Sequence, residues 1–386
     1  MWKKYSQLVL LCIAFSQAEA NPKNAMFRTD GADKSECAKH IVSEKYEDAL
    51  SSCTSEAKKG DAQAQYNLAY MYLQGVAVSQ DKNASFTWIK KSAESGFVPA
   101  YAALAECYRR GTGTSVSNEL SVQWDEKAAR AGDSQGQFNL GYYYEHGHLK
   151  ELDYKQALHW YRKAADQGNA DAYTNIGSMY MYGRGLEKSS ARAFEYFEKG
   201  ANLGSARGQR NLANMYFNGV GVTQNVSTAA EWYGRSADAG DPVARFTLGY
   251  LYEMGQGVKK DIHKAVALYE AAARQDHTDA QWTVGQIYVY GRGVDKDVQK
   301  GMQWLLRSVE SGSPVGAYFL AVAYADGVEI ARDFSRAHVL ANFAILRGNN
   351  RGEEVLSYIK NNVTGKEWEN LQVNTREEFK KQGILR

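Results

Sequence analysis

Small and large apolar residues recur along this chain with a period of 36, without insertion or deletion, from residue 61 to residue 348. The blocks start at 61, 97, 133, 169, 205, 241, 277 and 313. In the first half of each block, position 4 is Ala or Gly, as in Ala64, Ala100 and Gly136. Position 8 is aliphatic (Leu68, Leu104, Ile176), position 9 is Ala or Gly, and position 12 is tyrosine throughout, from Tyr72 to Tyr324. The spacing 4, 8, 12 places these residues on one face of a helix, here called helix A. In the second half, position 25 is small in all eight blocks and position 28 is large: Trp88, Trp124, Trp160, Tyr196, Trp232, Leu268, Trp304 and Leu340. Positions 32 and 33 are mostly alanine, as in Ala128-Ala129 and Ala164-Ala165. This predicts a second helix, helix B, over positions 22 to 34. The small residues let neighbouring helices approach and the large ones fill the gaps, so Trp160→Ala is expected to lose the roughly 3–5 kcal/mol of a buried tryptophan.

Glycine punctuates the pattern. Position 15 is always Gly, from Gly75 to Gly327, and position 36 is Gly in seven blocks and Asp276 in one. Both positions fall just past a helix end, where glycine takes the left-handed conformation that closes a helix. A period in this range marks an array in which each unit buries its apolar face only against a neighbour. The fold class is therefore all-α: an α/α superhelical solenoid of eight 36-residue helical hairpins, with N- and C-terminal helical caps.

Block five shows the pattern most fully: Ala206-Arg-Gly-Gln-Arg-Asn-Leu-Ala-Asn-Met-Tyr216-Phe-Asn-Gly219-Val-Gly221-Val222, then Ala229-Ala-Glu-Trp232 and Ser236-Ala237-Asp-Ala-Gly240. It resembles the Sel-one-like repeat (SLR) family, a relative of the tetratricopeptide repeat, over about three quarters of the chain. The resemblance implies a superhelix with a concave groove and a role as an adaptor. It implies no reaction, because function belongs to sites and not to folds. Three blocks depart from the pattern: block three (Gly147-His-Leu149), block six (Leu268, Asp276) and block eight (Gly327-Val-Glu329), each a candidate kink or specialised loop.

The ends of the chain extend this reading. Residues 1–20 read as a secretory signal peptide: Lys3 and Lys4 precede an apolar run from Leu8 to Phe15, and Ala18-Glu19-Ala20 is an A-x-A cleavage site. The apolar run is shorter than the roughly 20 residues of a membrane span, so no membrane insertion is expected after cleavage behind Ala20. Cys12 follows Leu11, not the small residue that a lipid-anchor signal wants. Residues 21–33 form a lead-in. Residues 34–60 read as a capping hairpin in which Cys37 and Cys53 lie on either side of a turn near Ser43-Tyr46. Antiparallel helices would bring the two together, and an oxidising compartment then favours a disulfide over two free buried thiols. Cys107 stands alone on the apolar side of a helix A and is read as inert. After Gly348, residues 349–386 read as capping helices, the last opened by the capping-box pattern Thr364-Gly-Lys-Glu367.

On helix A, positions 3, 7, 10 and 14 lie opposite the core face and would line the concave side. Position 7 holds Asn67, Asn139, Asn175 and Asn211; position 10 holds Tyr70, Tyr142 and Tyr250; position 14 holds His146, Tyr182 and Tyr290. Asparagine amides can pair with an extended backbone, and tyrosines add flat apolar area with a polar tip. Asn139, Asn175, Asn211, Tyr142, Tyr182, Tyr250 and Tyr290 are therefore the candidate partner-binding residues, with blocks three to five as the expected groove. The other reading keeps the asparagines as repeat consensus, each bonding a neighbouring loop.

The net charge is +2, one unit lower once the leader is removed, which argues against nucleic acid as a partner. Catalytic patterns are thin. Ser55-Glu-Ala-Lys58 matches S-x-x-K without its S-D-N and K-T-G companions. Some cysteine-rich SLR proteins are described as β-lactamases, but they carry a cysteine pair in each repeat and this chain does not. His146-Gly-His148 with His159 would make a metal site only without acidic or thiol ligands. The Gly-x-Gly pairs, such as Gly183-Arg-Gly185, follow a helix and so lack the strand that a phosphate loop requires. The expectation is a monomeric, exported, non-enzymatic scaffold of the periplasm or cell exterior, with no cofactor or metal, binding a protein or peptide partner. The alternatives are an envelope hydrolase of β-lactamase type and a eukaryotic ER-lumen quality-control adaptor. The sequons at Asn83, Asn225 and Asn362 would matter only to the last.

Overall fold

A computed structural model describes residues 27–29, 35–148, 150–327 and 330–382. The expected signal peptide and most of the lead-in lie outside the described residues. Among those described there are twenty helices and no strand. Helix A runs over positions 2 to 14 of each block, from Ala62–Gln74 in block one to Pro314–Asp326 in block eight. Helix B runs over positions 22 to 34, from Lys82–Glu94 to Phe334–Leu346, and is one residue shorter in block six (Ile262–Ala273).

Most of the repeat helices start where a side chain can accept from their free N–H groups. At position 1, Asp61, Asp133, Asn169, Asp241, His277 and Ser313 accept from the position-4 amide. Phe97 cannot, and Pro99 in that first turn has no N–H to leave bare. Position 21 caps helix B in every block, with Asp81, Ser117, Asp153, Ser189, Asn225, Asp261, Asp297 and Asp333. The same eight residues donate their backbone N–H to the carbonyl of the position-12 tyrosine, from Asp81 to Tyr72 through Asp333 to Tyr324, at 2.8–3.0 Å. The loop between the two helices is thereby closed identically eight times.

The glycines behave as expected at both helix ends. Position 15 has φ of 65–72°, and Asp276 takes φ 59° where the other blocks place Gly at position 36. The second glycine of each Gly-x-Gly pair has a different cause. A Cβ on Gly113 would fall 2.0 Å from the Lys82 carbonyl oxygen, and one on Gly257 2.5 Å from that of Val226. These loops press on helix B of the preceding block.

The core sits one residue away from the expected position. Position 29, not position 28, fills the gap between helices: Tyr161, Phe197, Tyr233, Tyr269 and Leu305 are all buried. Position 28 lies at the edge. Trp160 is half-buried and carries the Lys163 ammonium over its ring at 4.7 Å. The same pairing with position 31 recurs at Trp88, Trp124, Tyr196, Trp232 and Trp304, and of these only Trp304 is buried. A residue one step along a helix turns by about 100°, enough to move an aromatic ring from the core to its rim. The position-12 tyrosines are likewise half-buried, except Tyr180, while position 11 (Met71, Met179, Leu251, Ile287) is fully buried.

Position 9 is matched to position 29. A Cβ at Gly141 would meet the Tyr161 ring at 2.6 Å, at Gly177 the Phe197 ring at 2.7 Å, and at Gly285 the Leu305 side chain at 2.7 Å. Where position 29 is Ile89, Asp125 or Ala341, position 9 is alanine. Ala213 opposite Tyr233 is the exception.

The N-terminal cap is a hairpin of Glu36–Val42 and Tyr46–Lys58, closed by a disulfide between Cys37 and Cys53, both fully buried. Cys107 is a buried free thiol whose pKa burial pushes up to about 12, so it is not a reactive thiolate at neutral pH. The C-terminal cap is Gly352–Asn361 and Gly365–Lys381, and the Thr364–Glu367 capping box is formed. The chain forms two compact units. One comprises residues up to Gly208 with Val220–Val222; the other comprises Gln209–Gly219 and the chain from Thr223.

Candidate functional site

In the first unit, three of the position-7 asparagines are buried and each is engaged differently. Asn67 pairs with the backbone of the segment that precedes the N-terminal cap: its Nδ2 donates to the Arg28 carbonyl (2.8 Å) and its Oδ1 accepts from the Arg28 N–H (2.9 Å). Asn139 donates to Asp125 (2.9 Å) and accepts from Gln135 (2.9 Å). Asn175 accepts from the Arg207 guanidinium (2.6 Å).

Asp125 explains the second case. It occupies position 29, the slot filled by Tyr161 or Leu305 elsewhere, yet it is fully buried. Its carboxylate accepts from Arg109 (2.5 Å), the Tyr143 hydroxyl (2.6 Å) and Asn139. Burial pushes its pKa up, against the Arg109 charge and the donors Tyr143 and Asn139. Burial disfavours the Arg109 cation, but Asp125 overcompensates and holds it above its ordinary value. Glu106 also pairs with Arg109 and with Arg110. The amide of Asn139 is thus committed to an internal network.

The candidate tyrosines of this unit face solvent. Tyr182 is 67% exposed, with the Arg184 guanidinium 5.3 Å from its ring. Tyr142 is half-buried and stacks on His146 with ring centroids 4.0 Å apart, and His146 stacks on His148 at 5.9 Å. His146 also bonds the Tyr142 carbonyl through Nδ1 (3.0 Å). His159 packs edge-on against Trp160 instead. Among the described residues, no group of three or more His, Cys, Asp or Glu side chains could hold a metal ion. Ser55 and Lys58 are exposed on the last turn of the second cap helix.

In the second unit the helix-A face is more apolar. Asn211 is half-buried. Tyr250 is 42% and Tyr290 50% exposed, and Met254 and Val243 on the same faces are also exposed. An open cleft of about 540 Å³ is lined by Trp282, Gln286, Val315, Phe319, Arg347 and Arg351, among others. Trp282 and Phe319 stack there with centroids 5.9 Å apart, and Arg351 lies 4.3 Å over the Tyr318 ring while donating to its hydroxyl (2.7 Å).

The Sel1 repeat description matches eight consecutive segments: 62–97, 98–133, 134–169, 170–205, 206–241, 242–277, 278–313 and 314–349. The chain belongs to the Sel1 repeat family. Solved structures similar to it include the following two. A protective antigen of uropathogenic Escherichia coli strains with an SLR fold is 28% identical, with a TM-score of 0.63, over 85% of this chain and 72% of that one. A Sel1 repeat protein from Oxalobacter formigenes is 32% identical, with a TM-score of 0.58, over 61% of this chain and 94% of that one. Comparison with curated proteins finds no match. The Sel1 solenoid is a protein-interaction scaffold, and its family is in general non-catalytic. No helix among the described residues is long and apolar enough to cross a membrane.

Sequence reasoning missed Asp125, Arg109 and Gln135, although an acidic residue in the position-29 column is visible once the blocks are aligned. It also missed Met254, Trp282 and Phe319, which lie at positions 14, 6 and 7. Arg28 lies outside the repeats, and no sequence signal ties it to Asn67.

Proposed function

We propose that this Sel1 repeat protein is an exported, non-enzymatic scaffold that binds a protein or peptide partner on its helix-A faces. The observation that carries the reading is the exposure of large aromatic side chains at positions 10 and 14 of helix A: Tyr182 in the first unit, Tyr250 and Tyr290 in the second. Aromatic side chains left in water on a preformed surface are the side chains that interfaces use. Tyr142 and the amides of Asn139, Asn175 and Asn211 border these positions and belong to the same reading. The buried amides act by holding the helix faces, and the tyrosines by direct contact.

Export is supported by the Cys37–Cys53 disulfide, a bond that persists in oxidising compartments. The similar E. coli chain is described as a protective antigen, a description compatible with a protein outside the cytoplasm. The expected compartment is the periplasm or the cell exterior.

The test is an affinity capture with the purified protein from its own envelope or secreted fraction, read by mass spectrometry, beside the Tyr250→Ala, Tyr290→Ala double variant. Tyr182→Ala is run in parallel. One dominant partner, lost from a variant that keeps its melting curve, supports the reading. A partner retained by all variants moves the interface off helix A. Nitrocefin hydrolysis by the purified protein would replace the scaffold with the enzyme alternative.

A further inference from the structure

The geometry points to a peptide-binding site at the first block, built from Asn67, Gln63, Tyr46 and Tyr70, that takes a peptide backbone led by an aromatic side chain. The chain's own Phe27-Arg28 occupies it. The inference rests on the helix-A reading above but commits to a place and a ligand.

Three hydrogen bonds fix the backbone of a single residue. The Arg28 carbonyl accepts from Gln63 Nε2 and Asn67 Nδ2, both at 2.8 Å, and the Arg28 N–H donates to Asn67 Oδ1 at 2.9 Å. One amide side chain thus reads the N–H and C=O of the same residue, the pairing that a neighbouring β-strand would supply. Arg28 itself is exposed, so water could have served its backbone groups. Asn67, in contrast, is fully buried with the segment in place. A buried amide without partners is costly, so this position is adapted to an occupant that brings backbone polar groups.

The side chains supply selectivity. Phe27 is 5% exposed, stacked 6.4 Å from the Tyr46 ring and edge-on 5.1 Å from the Tyr70 ring. The Arg28 side chain that follows is exposed. The Arg28 guanidinium acts there on Tyr66 and on the Asp133 carboxylate as a favourable nearby charge. The site therefore discriminates by its aromatic pocket, formed by the Tyr46 and Tyr70 rings. The other buried position-7 asparagines have side-chain partners: Asn139 serves Asp125 and Asn175 serves Arg207.

The occupant is tethered by the short stretch from residue 30 to residue 34. A short tether gives an effective concentration of about a millimolar or more, enough to exclude a free peptide of modest affinity. A partner segment carrying such an aromatic residue would have to displace Phe27-Arg28.

The test uses the full chain and a fluorescein-labelled peptide of residues 25–31 (Ala-Met-Phe-Arg-Thr-Asp-Gly), followed by anisotropy. Two variants empty the site differently. Phe27→Ala removes the aromatic anchor, and Arg28→Pro removes the N–H that Asn67 accepts while changing only an exposed side chain. At least one should bind the peptide ~10-fold or more tightly than the unmodified protein. Adding Asn67→Ala to that variant should abolish binding, as should replacing the phenylalanine of the peptide by alanine. Saturable binding to neither variant, with melting curves retained, overturns the proposal. So does binding that is indifferent to Asn67→Ala. Either failure leaves capture of a partner through Tyr182, Tyr250 or Tyr290 untouched, so the two readings fail separately.

Discussion

The first unit commits the asparagines of its helix-A face to internal partners and leaves Tyr182 in water; the second leaves several apolar side chains of that face to solvent. In blocks one, three and four the buried asparagines meet Arg28, Asp125 and Arg207, and a charge has replaced an apolar side chain in one core slot. In the second unit the position-29 slots hold Tyr233, Tyr269 and Leu305, and the faces carry Tyr250, Met254 and Tyr290 in solvent. The same 36-residue frame thus supports both a polar, internally satisfied surface and an apolar, unsatisfied one. The frame is set by the small residues, caps and glycines. The character of the surface is set by a few positions that the frame leaves free.

The sharpest way to break the contrast is to remove its charge. Asp125→Ala should cost ~3–5 kcal/mol in urea denaturation, because Arg109 is left without its buried partner. Asp125→Leu with Arg109→Met, which imitates the Leu305 slot, should recover most of that loss, since apolar replacement of a buried pair is often neutral. Equal destabilisation by both would mean that the network, and not the pairing, holds the blocks together. Tyr161→Ala should cost a comparable ~3–5 kcal/mol and Trp160→Ala less than half of it, so neighbouring residues separate core from rim. Equal losses would return the tryptophan to the core.

The caps differ in the same way, one covalently closed and one not. Replacing Cys37 and Cys53 by serine should cost about 3 kcal/mol for a loop of this size. Reductant should reproduce the effect in the unmodified protein and leave the double variant unchanged.

Mild acid should sharpen the comparison from the other side. Burial lowers the pKa of His277, against the nearby Asp279 and Asp241, and burial also lowers that of His338, which bonds Thr375 (2.7 Å). A lowered folded-state pKa means that the unfolded chain takes up the proton first. The stabilisation is therefore complete above the ordinary imidazole value of about 6.5 and is lost as pH falls below it. Both residues lie in the second unit, so its hydrogen-exchange protection should fall between pH 7 and pH 5, and His338→Gln should flatten that slope. The smallest effect belongs to the rim: Lys163→Ala should remove ~0.5–1 kcal/mol from the pairing with Trp160, measurable only in a double-mutant cycle.

The frame was legible because it repeats. Gly at position 15 and helix B in the second half of the block are each read eight times over, Gly at position 36 seven times, and the capping box at Thr364 is a local signal. The core was misread by one residue because position 29 holds Asp125 and Ala341, which break the apolar column, whereas the position-28 tryptophans present a cleaner one. The candidate site was legible only in its exposed tyrosines. The Asn67 pairing depends on Phe27 and Arg28, which lie outside the period, and the burial of Asn139 depends on Asp125 in another block. Contacts between columns of a repeat leave no period of their own.

The bond from each position-21 N–H to the position-12 carbonyl has a consequence for how such a chain can change length. A single residue added to that loop would pull the donor off its acceptor and turn every later helix out of register with its neighbour. Addition of a whole block disturbs neither. The array therefore grows or shrinks most simply in steps of one repeat, which makes its length a counted quantity and leaves surface chemistry as the part that varies continuously.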